Sequence, residues 1–179
     1  KNYLGVTDSG KVDVKGLTGK KSHTPGFIKK LFFDLLDVLS EVKTMEDFVK
    51  AKKQISEKIA DCGKKVEAKE IPLEDLTFNV MLSKAPSEYV KTIPQHIRAA
   101  KQLESIRELK KGDKISFIKI LNKPGVKPVE LAKKEEIDSK KYMEFLESTL
   151  EQITSSMDLD FDTILGKPKQ TGLDEFFWS

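Results

Sequence analysis

The stretch Thr24-Pro25-Gly26-Phe27-Ile28-Lys29-Lys30-Leu31-Phe32-Phe33-Asp34-Leu35-Leu36 decides the fold class of this chain. Its apolar residues recur at intervals of three and four, and this spacing is typical of an amphipathic helix. Thr24 is expected as the N-cap and Pro25 as the first helical residue. The stretch therefore predicts a helix that buries one face in a core. The buried face comprises Ile28, Leu31, Phe32, Leu35, Leu39 and Val42.

Three further helices are predicted along the chain. The second begins at Thr44, which has Asp47 three residues further on as in a capping box, and it ends at Gly63. The third begins at Pro94 and ends at about residue 109, and Asp138 caps a last long helix. The inward-facing residues are expected to be Phe48, Val49, Ile55 and Ile59 in the second helix, Ile97, Ala100, Leu103 and Ile106 in the third, and Tyr142, Leu146, Leu150, Ile153 and Met157 in the last.

Extended structure is predicted in three places. Residues 2–17 alternate apolar and charged side chains around the turn cluster Thr7-Asp8-Ser9-Gly10, which indicates a β-hairpin. A second extended segment is expected between residues 71 and 83, and a strand over residues 114–121 precedes the turn Asn122-Lys123-Pro124-Gly125. Because a lone hairpin is only marginally stable, it is expected to need a sheet that this chain does not contain. The predicted fold class is α+β, mainly α, with the hairpin followed by a helical domain that carries a few short strands.

Composition narrows the class of protein. The chain has 179 residues, 34% of them charged, and no run of about 18 apolar residues that could cross a membrane. The single cysteine, Cys62, excludes an internal disulfide and favours an intracellular protein, which we expect in the cytoplasm. Cys62 itself is expected to be a small, partly buried apolar residue and not a nucleophile. A composition rich in Lys and Glu and poor in amides favours a thermophilic source. The missing initiator methionine suggests a piece of a longer chain or a processed one.

Charge is distributed unevenly along the chain. Residues 1–135 carry 28 basic and 19 acidic side chains, a net charge of +9, whereas residues 136–179 carry 4 basic and 10 acidic side chains, a net charge of −6. A basic body with an acidic C-terminal part fits a protein that binds a polyanion along one region. A solvated lysine-rich surface would give similar totals, so composition leaves both alternatives open.

The sequence contains no recognisable catalytic or metal-binding constellation. The two histidines, His23 and His96, are far apart, and neither has a second ligand at metal-binding spacing. There is no glycine-rich phosphate loop and no nucleophile–base pair. Asp158, Asp160 and Asp162 alternate like calcium ligands, but the rest of a calcium loop is absent and a capped short helix over residues 161–165 is the better interpretation. We therefore expect no catalytic residue and no metal ligand in this chain.

Basic residues concentrate in two groups. Lysine is a flexible point charge, suited to phosphate contacts that do not read base sequence. Aromatic residues that could stack on bases are scarce between the lysines, which favours duplex over single-stranded nucleic acid. The first group is Lys1, Lys11, Lys15, Lys20, Lys21, Lys29 and Lys30, and the second is Lys84, Lys91, Arg98, Lys101, Lys110, Lys111 and Lys114.

The last ten residues, Gln170-Thr171-Gly172-Leu173-Asp174-Glu175-Phe176-Phe177-Trp178-Ser179, resemble the sliding-clamp-binding peptide, or PIP box. One tight helical turn would place Leu173, Phe176 and Phe177 on one side as an apolar plug and leave Gln170 to hydrogen-bond separately. Exposed apolar clusters of this kind usually mark a partner site. The alternatives are a tail that folds back onto its own domain and an accidental match.

Short motifs spread over nearly the whole chain resemble family B DNA polymerases, in particular the archaeal replicative type. Lys1-x-Tyr3-x-Gly5-Val6 resembles the end of the family's K-K/R-x-Y-x-G motif, and Gly10-Lys11 with Val14-Lys15-Gly16-Leu17 resembles its G-K-x-x-x-K-G-L/I segment. Where the family usually has V-R-R-D, this chain has Gly19-Lys20-Lys21-Ser22, which keeps the basic pair and lacks the aspartate. The family's thumb pattern is matched in order by Leu82-Ser83-Lys84, Tyr89, Pro94-x-His96-Ile97, Ala100 and Gly112-Asp113-Lys114-Ile115.

The resemblance implies three parts: a palm-end hairpin and basic segment over residues 1–23, a thumb domain over 24–165, and a flexible tail with the clamp peptide over 166–179. It implies that the chain grips primer–template duplex and binds the sliding clamp through Gln170, Leu173, Phe176 and Phe177. The remainder of the polymerase, with its exonuclease, palm and fingers, would hold the catalytic carboxylates and Mg²⁺. This chain alone would then bind no cofactor and be inactive. The implied DNA-binding residues are Lys1, Tyr3, Lys11, Lys15, Lys20, Lys21, Lys84, Tyr89 and His96.

A self-contained, clamp-tethered DNA-binding adaptor without enzymatic activity is the alternative. The hairpin argues against it, because an independent protein would not normally begin with part of an unfinished sheet.

Overall fold

The computed structural model describes residues 24–167 and, for the backbone alone, residues 3–6 and 12–15. Strands β1 (Tyr3–Val6) and β2 (Val12–Lys15) pair antiparallel, with Tyr3 opposite Lys15 and Val6 opposite Val12. The predicted hairpin is therefore confirmed, although its turn lies outside the described residues. The two strands form a two-stranded sheet of their own.

Two long helices open the helical part of the chain. Helix α1 spans Gly26–Ser40 and helix α2 spans Met45–Glu67. Pro25 occupies the N-cap position of α1, so the predicted cap at Thr24 is wrong by one residue. The capping box of α2 is confirmed, because the Asp47 N–H donates to Thr44 Oγ1 at 3.1 Å and the Thr44 N–H donates to Asp47 Oδ2 at 3.2 Å.

Helix α2 continues four residues beyond Gly63, so the predicted end at this glycine is wrong. Gly63 is buried, and a Cβ at this position would collide with Cδ2 of Leu165 and lie 3.4 Å from Cε of Met143. The glycine therefore leaves room for the Leu165 side chain against α2, and it does not terminate the helix.

A three-stranded antiparallel sheet in the order β3-β4-β5 forms the second layer, with β3 spanning Phe78–Met81, β4 Lys114–Lys119 and β5 Val126–Pro128. Phe78 lies opposite Phe117, and the two rings stack with centroids 5.6 Å apart. The predicted strand over residues 114–121 is confirmed to within two residues. The segment predicted as extended from residue 71 contains a short 3-10 helix, Leu73–Leu76, before β3.

Helix α3 spans Gln95–Leu103 and is shorter than predicted. After Leu103 the chain turns, and Ile106 is 62% exposed where the sequence predicted an inward position. Val49 in α2 is likewise wrong at 64% exposed, because the buried residues of α2 follow Ala51, Ile55 and Ile59 at four-residue intervals, a series that does not include Val49.

Helix α4 (Ser139–Ser156) supplies the centre of the core. The predicted inward residues of α4, together with Met157 just beyond its end, are all buried, and Asp138 caps the helix by accepting a hydrogen bond from the Lys141 N–H at 3.2 Å. The Tyr142 hydroxyl donates to the Leu76 carbonyl at 2.6 Å and accepts from the Lys119 N–H at 3.1 Å. Tyr142 thereby joins α4 to the segment before β3 and to the end of β4.

The short helix α5 spans Phe161–Ile164 and begins at Asp160, whose carboxylate accepts a hydrogen bond from the Thr163 N–H at 3.1 Å. The alternating aspartates therefore belong to a capped short helix, as predicted. Together these elements confirm the predicted α+β, mainly α class. No helix within the described part of the chain is long and apolar enough to cross a membrane.

Candidate nucleic-acid interface

Three of the predicted DNA-binding residues meet at one place on the surface. The Lys84 ammonium lies 4.4 Å from the centroid of the Tyr89 ring, and the rings of Tyr89 and His96 meet edge to face with centroids 6.4 Å apart. The Tyr89 hydroxyl forms a hydrogen bond of 2.9 Å with Ser83 Oγ, which fixes the ring from its far end. The cluster presents one exposed cation on an aromatic surface.

The segment before Lys84 is held by a β-bulge. The Gly112 N–H donates to the Leu82 carbonyl at 2.8 Å, and the Leu82 N–H donates to the Asp113 carbonyl at 2.8 Å. Gly112 and Asp113 therefore both lie opposite the single residue Leu82. Gly112 has φ of 92°, which is the left-handed conformation required of a glycine at the first position of this bulge type. The bulge therefore explains the glycine at position 112.

A tight turn follows Lys84. The short 3-10 helix Pro86–Glu88 is closed by the Glu88 carboxylate, which accepts a hydrogen bond from the Ala85 N–H at 2.7 Å. The Lys84 ammonium donates to the Glu88 carbonyl at 3.3 Å. The lysine side chain is thereby directed over Tyr89 while its ammonium keeps most of its hydrogen-bonding capacity, since it has three donors.

His96 enters the cluster from the first turn of α3, whose inner face is anchored in the core by Ile97, Ala100 and Leu103. The imidazole is half-buried, and this burial lowers its pKa from the ordinary value. With a pKa below its ordinary value, His96 contributes an aromatic edge to the cluster and no positive charge at physiological pH.

The turn that precedes β4 places more lysines beside this cluster. The bulge joins the backbone at Leu82 to the residues that follow Lys111, so the Lys84 segment and the Lys110–Lys111 turn are neighbours. We call Lys84, Lys110, Lys111 and Lys114 the cationic edge. Within residues 24–167, none of these four exposed side chains forms an ion pair with a carboxylate.

The remaining cations of the second group are also exposed. Arg98 donates from Nη1 to the Pro124 carbonyl at 3.3 Å, which directs its guanidinium towards the turn between β4 and β5. Arg98 therefore lies at a different place from the cationic edge, against the turn near Pro124. The exposed members outside the cationic edge are Lys91, Arg98 and Lys101.

Several predicted site residues lie outside the described residues or are described only in part. Lys1, Lys11, Lys20 and Lys21 lie outside, and so do the clamp-peptide residues Gln170, Leu173, Phe176 and Phe177. Tyr3 and Lys15 are described through their backbone, which pairs them directly across the hairpin. For all of these residues the sequence-based assignment stays a prediction.

The described residues contain neither a metal-binding group nor a reactive thiol. No group of three or more His, Cys, Asp or Glu side chains in that part of the chain could hold a metal ion. The residues present therefore do not fit the Mg²⁺ site that the resemblance implies for a polymerase, and no catalytic step is assigned to them. Burial raises the pKa of the Cys62 thiol to about 11, so the thiol stays protonated at neutral pH and is a poor nucleophile.

Sequence comparison identifies the family. A sequence model of DNA polymerase family B matches residues 1–162. The chain belongs to DNA polymerase family B. Among its relatives, it is 39% identical to DNA polymerase 1 of Sulfolobus acidocaldarius, with all of this chain and 20% of the relative covered. It is 44% identical to DNA polymerase 1 of Sulfurisphaera ohwakuensis, with 89% of this chain and 18% of the relative covered.

A solved structure of a family B polymerase has a fold similar to that of this chain. The family B DNA polymerase from the hyperthermophilic archaeon Pyrobaculum calidifontis superposes with a TM-score of 0.63 and 18% sequence identity, over 86% of this chain and 20% of that one. At this identity the similarity concerns the fold alone. The chain spans about a fifth of the length of the curated relatives it matches.

Proposed function

We propose that this family B chain grips the primer–template duplex behind the primer terminus as the thumb of a DNA polymerase. The observation that carries the proposal is the cluster of Lys84, Tyr89 and His96 next to the lysines of the cationic edge, which form no ion pair within residues 24–167. Exposed ammonium groups without carboxylate partners are free to replace the counterions of a phosphate backbone. The aromatic surface beneath Lys84 restricts the lysine's conformations and so lowers the entropy lost on binding.

Lysine-based contacts predict a particular mode of recognition. An ammonium group binds phosphate as a point charge and carries no information about the base sequence. A replicative polymerase has to hold every sequence that it copies, so recognition that ignores sequence suits this task. The hairpin residues Lys1, Tyr3, Lys11 and Lys15, with Lys20 and Lys21, would extend the contact towards the primer end.

Catalysis is proposed to take place on other parts of the polymerase. Nucleotidyl transfer needs carboxylates that hold Mg²⁺ ions, which stabilise the charge that develops on the phosphate. The described residues contain no group of this kind. The chain by itself is accordingly proposed to bind duplex without extending it, and its partners are the primer–template and the remainder of the enzyme.

The C-terminal peptide is proposed to tether the polymerase to the sliding clamp. This rests on the sequence alone: Gln170 and the apolar Leu173, Phe176 and Phe177 stand at the spacing of a clamp-binding peptide. Changing Phe176 and Phe177 to Ala should abolish binding to the clamp and leave duplex affinity unchanged. Unchanged clamp affinity would refute the assignment of the tail.

The duplex proposal is tested by neutralising the cationic edge. In the chain with Lys84, Lys110 and Lys111 changed to Gln, the slope of log affinity against log salt should fall by about 0.9 for each phosphate that the chain no longer neutralises. The control changes Lys133 and Lys134, an exposed lysine pair beside the opposite end of β4, to Gln and should leave the slope as it was. Equal slopes in the two variants would contradict the proposal.

A further inference from the structure

Two carboxylates lie within the cationic edge, where negative charge would oppose DNA binding. Glu88 follows Lys84 by four residues, and Asp113 stands between Lys111 and Lys114. An ion pair with a neighbouring lysine would be the ordinary role for either carboxylate. Within residues 24–167 neither forms one.

Each carboxylate instead accepts a hydrogen bond from a backbone N–H three residues earlier. Glu88 Oε2 accepts from Ala85, directly after Lys84, at 2.7 Å, and Asp113 Oδ2 accepts from Lys110 at 2.9 Å. The same turns are also closed through the backbone, because the Glu88 N–H donates to the Ala85 carbonyl at 3.1 Å and the Asp113 N–H donates to the Lys110 carbonyl at 3.1 Å. Glu88 and Asp113 therefore each close one turn, through a side-chain hydrogen bond and a backbone hydrogen bond.

The β-bulge joins these two turns. Asp113 accepts the Leu82 N–H through its carbonyl while its carboxylate closes the lysine turn, so a single residue connects both lysine-bearing segments. A hydrogen bond from a backbone N–H to a side-chain oxygen, an acceptor that carboxylates and amides both supply, closes each turn. Its effect is to fix the backbone that carries Lys84 and Lys110 without occupying their ammonium groups.

We propose that Glu88 and Asp113 are positioning residues for phosphate binding, which hold the lysines of the cationic edge in place before the duplex arrives. This inference rests on the proposed function, because it assumes that these lysines meet the phosphate backbone. It predicts that the hydrogen-bond acceptor at positions 88 and 113 supports binding, whereas the negative charge itself does not.

The test compares amide and alanine variants of the full 179-residue chain, using duplex DNA of fixed sequence and measuring affinity and dissociation rate. Glu88→Gln and Asp113→Asn keep a carbonyl acceptor and remove a negative charge, so they should bind at least as tightly as the parent chain. Glu88→Ala and Asp113→Ala remove the acceptor and should bind roughly fivefold more weakly, which corresponds to ordering one backbone residue again. The unfolding temperature of each variant verifies that it is folded.

The outcomes separate the inference from the function on which it rests. Alanine variants that bind as tightly as the amide variants would show that the carboxylates act only as repulsive charges, and would overturn the positioning role. If the Lys84, Lys110 and Lys111 neutralisation weakens binding but the alanine substitutions do not, the positioning inference alone fails. If that neutralisation has no effect, the proposed function fails with it. Because Glu88 and Asp113 lie in different turns, loss of folding in one variant leaves the other as a test.

Discussion

The Tyr142 hydroxyl is predicted to contribute about 2–3 kcal/mol to the stability of the fold, and Tyr142→Phe isolates this contribution because it keeps the ring. The hydroxyl bonds the Leu76 carbonyl at 2.6 Å and the Lys119 N–H at 3.1 Å from a fully buried position. Each hydrogen bond has a net value of about 1 kcal/mol, and a buried group left without a partner adds its desolvation cost. The ring contacts with Phe27 and Phe78 would remain.

Thermal unfolding followed by circular dichroism measures this effect. For a chain of this size, a loss of about 2–3 kcal/mol should lower the midpoint by roughly 5–10 °C. The matched control is Tyr89→Phe, which makes the same chemical change at a half-buried site where the hydroxyl bonds Ser83. The control should cost less than about 1 kcal/mol. A Tyr142→Phe midpoint equal to that of Tyr89→Phe would refute the argument that this hydroxyl joins α4 to the sheet.

Two further predictions concern the core. Compared with Leu165→Ala alone, adding Gly63→Ala should stabilise the chain by about 1 kcal/mol, because alanine has the higher helix propensity. In the parent chain, Gly63→Ala should give no such gain. A stabilised single variant in chemical denaturation would contradict the close packing of these residues. Because burial raises the pKa of Cys62 from 9.0 to about 11, the unfolded thiol ionises first, so stability should fall as the pH rises from 9 to 11. A Cys62→Ser variant should show a shallower fall over this range, because burial also raises the pKa of Tyr142 and that contribution remains. The same slope in both proteins would exclude Cys62 as a contributor.

The sequence predicted the parts of the fold whose apolar spacing is regular. Helix α4 shows this most clearly, since its inward residues repeat at three and four and its cap, Asp138, is a typical N-cap residue. The boundaries were predicted less well where one residue type has two uses. Gly63 has the appearance of a helix end, but in the structure it makes room for Leu165. This role of Gly63 depends on a residue about a hundred positions away in the sequence, so the local sequence pattern does not reveal it.

The sequence predicted which residues belong to the candidate interface, but not how they come together in space. Lys84, Tyr89 and His96 were assigned from motif resemblance, and their meeting depends on a bulge between Leu82 and the Gly112–Asp113 pair. A contact between segments about thirty residues apart has no local signal, although a Gly-Asp pair before a strand is a recognisable turn signal. The roles of Glu88 and Asp113 as acceptors for backbone N–H groups span only three residues each, and they were missed because Ala85 and Lys110 are not typical N-cap residue types.

The central claim is that this chain holds duplex DNA through its phosphates and does not read its sequence. The most direct measurement is the affinity of the 179-residue chain for two duplexes of unrelated sequence and for a single strand of equal length, each over a series of salt concentrations. Binding through the phosphates predicts equal affinities for the two duplexes, weaker binding of the single strand, and a steep loss of affinity with salt. A strong preference for one duplex sequence, or an affinity that hardly changes with salt, would contradict it.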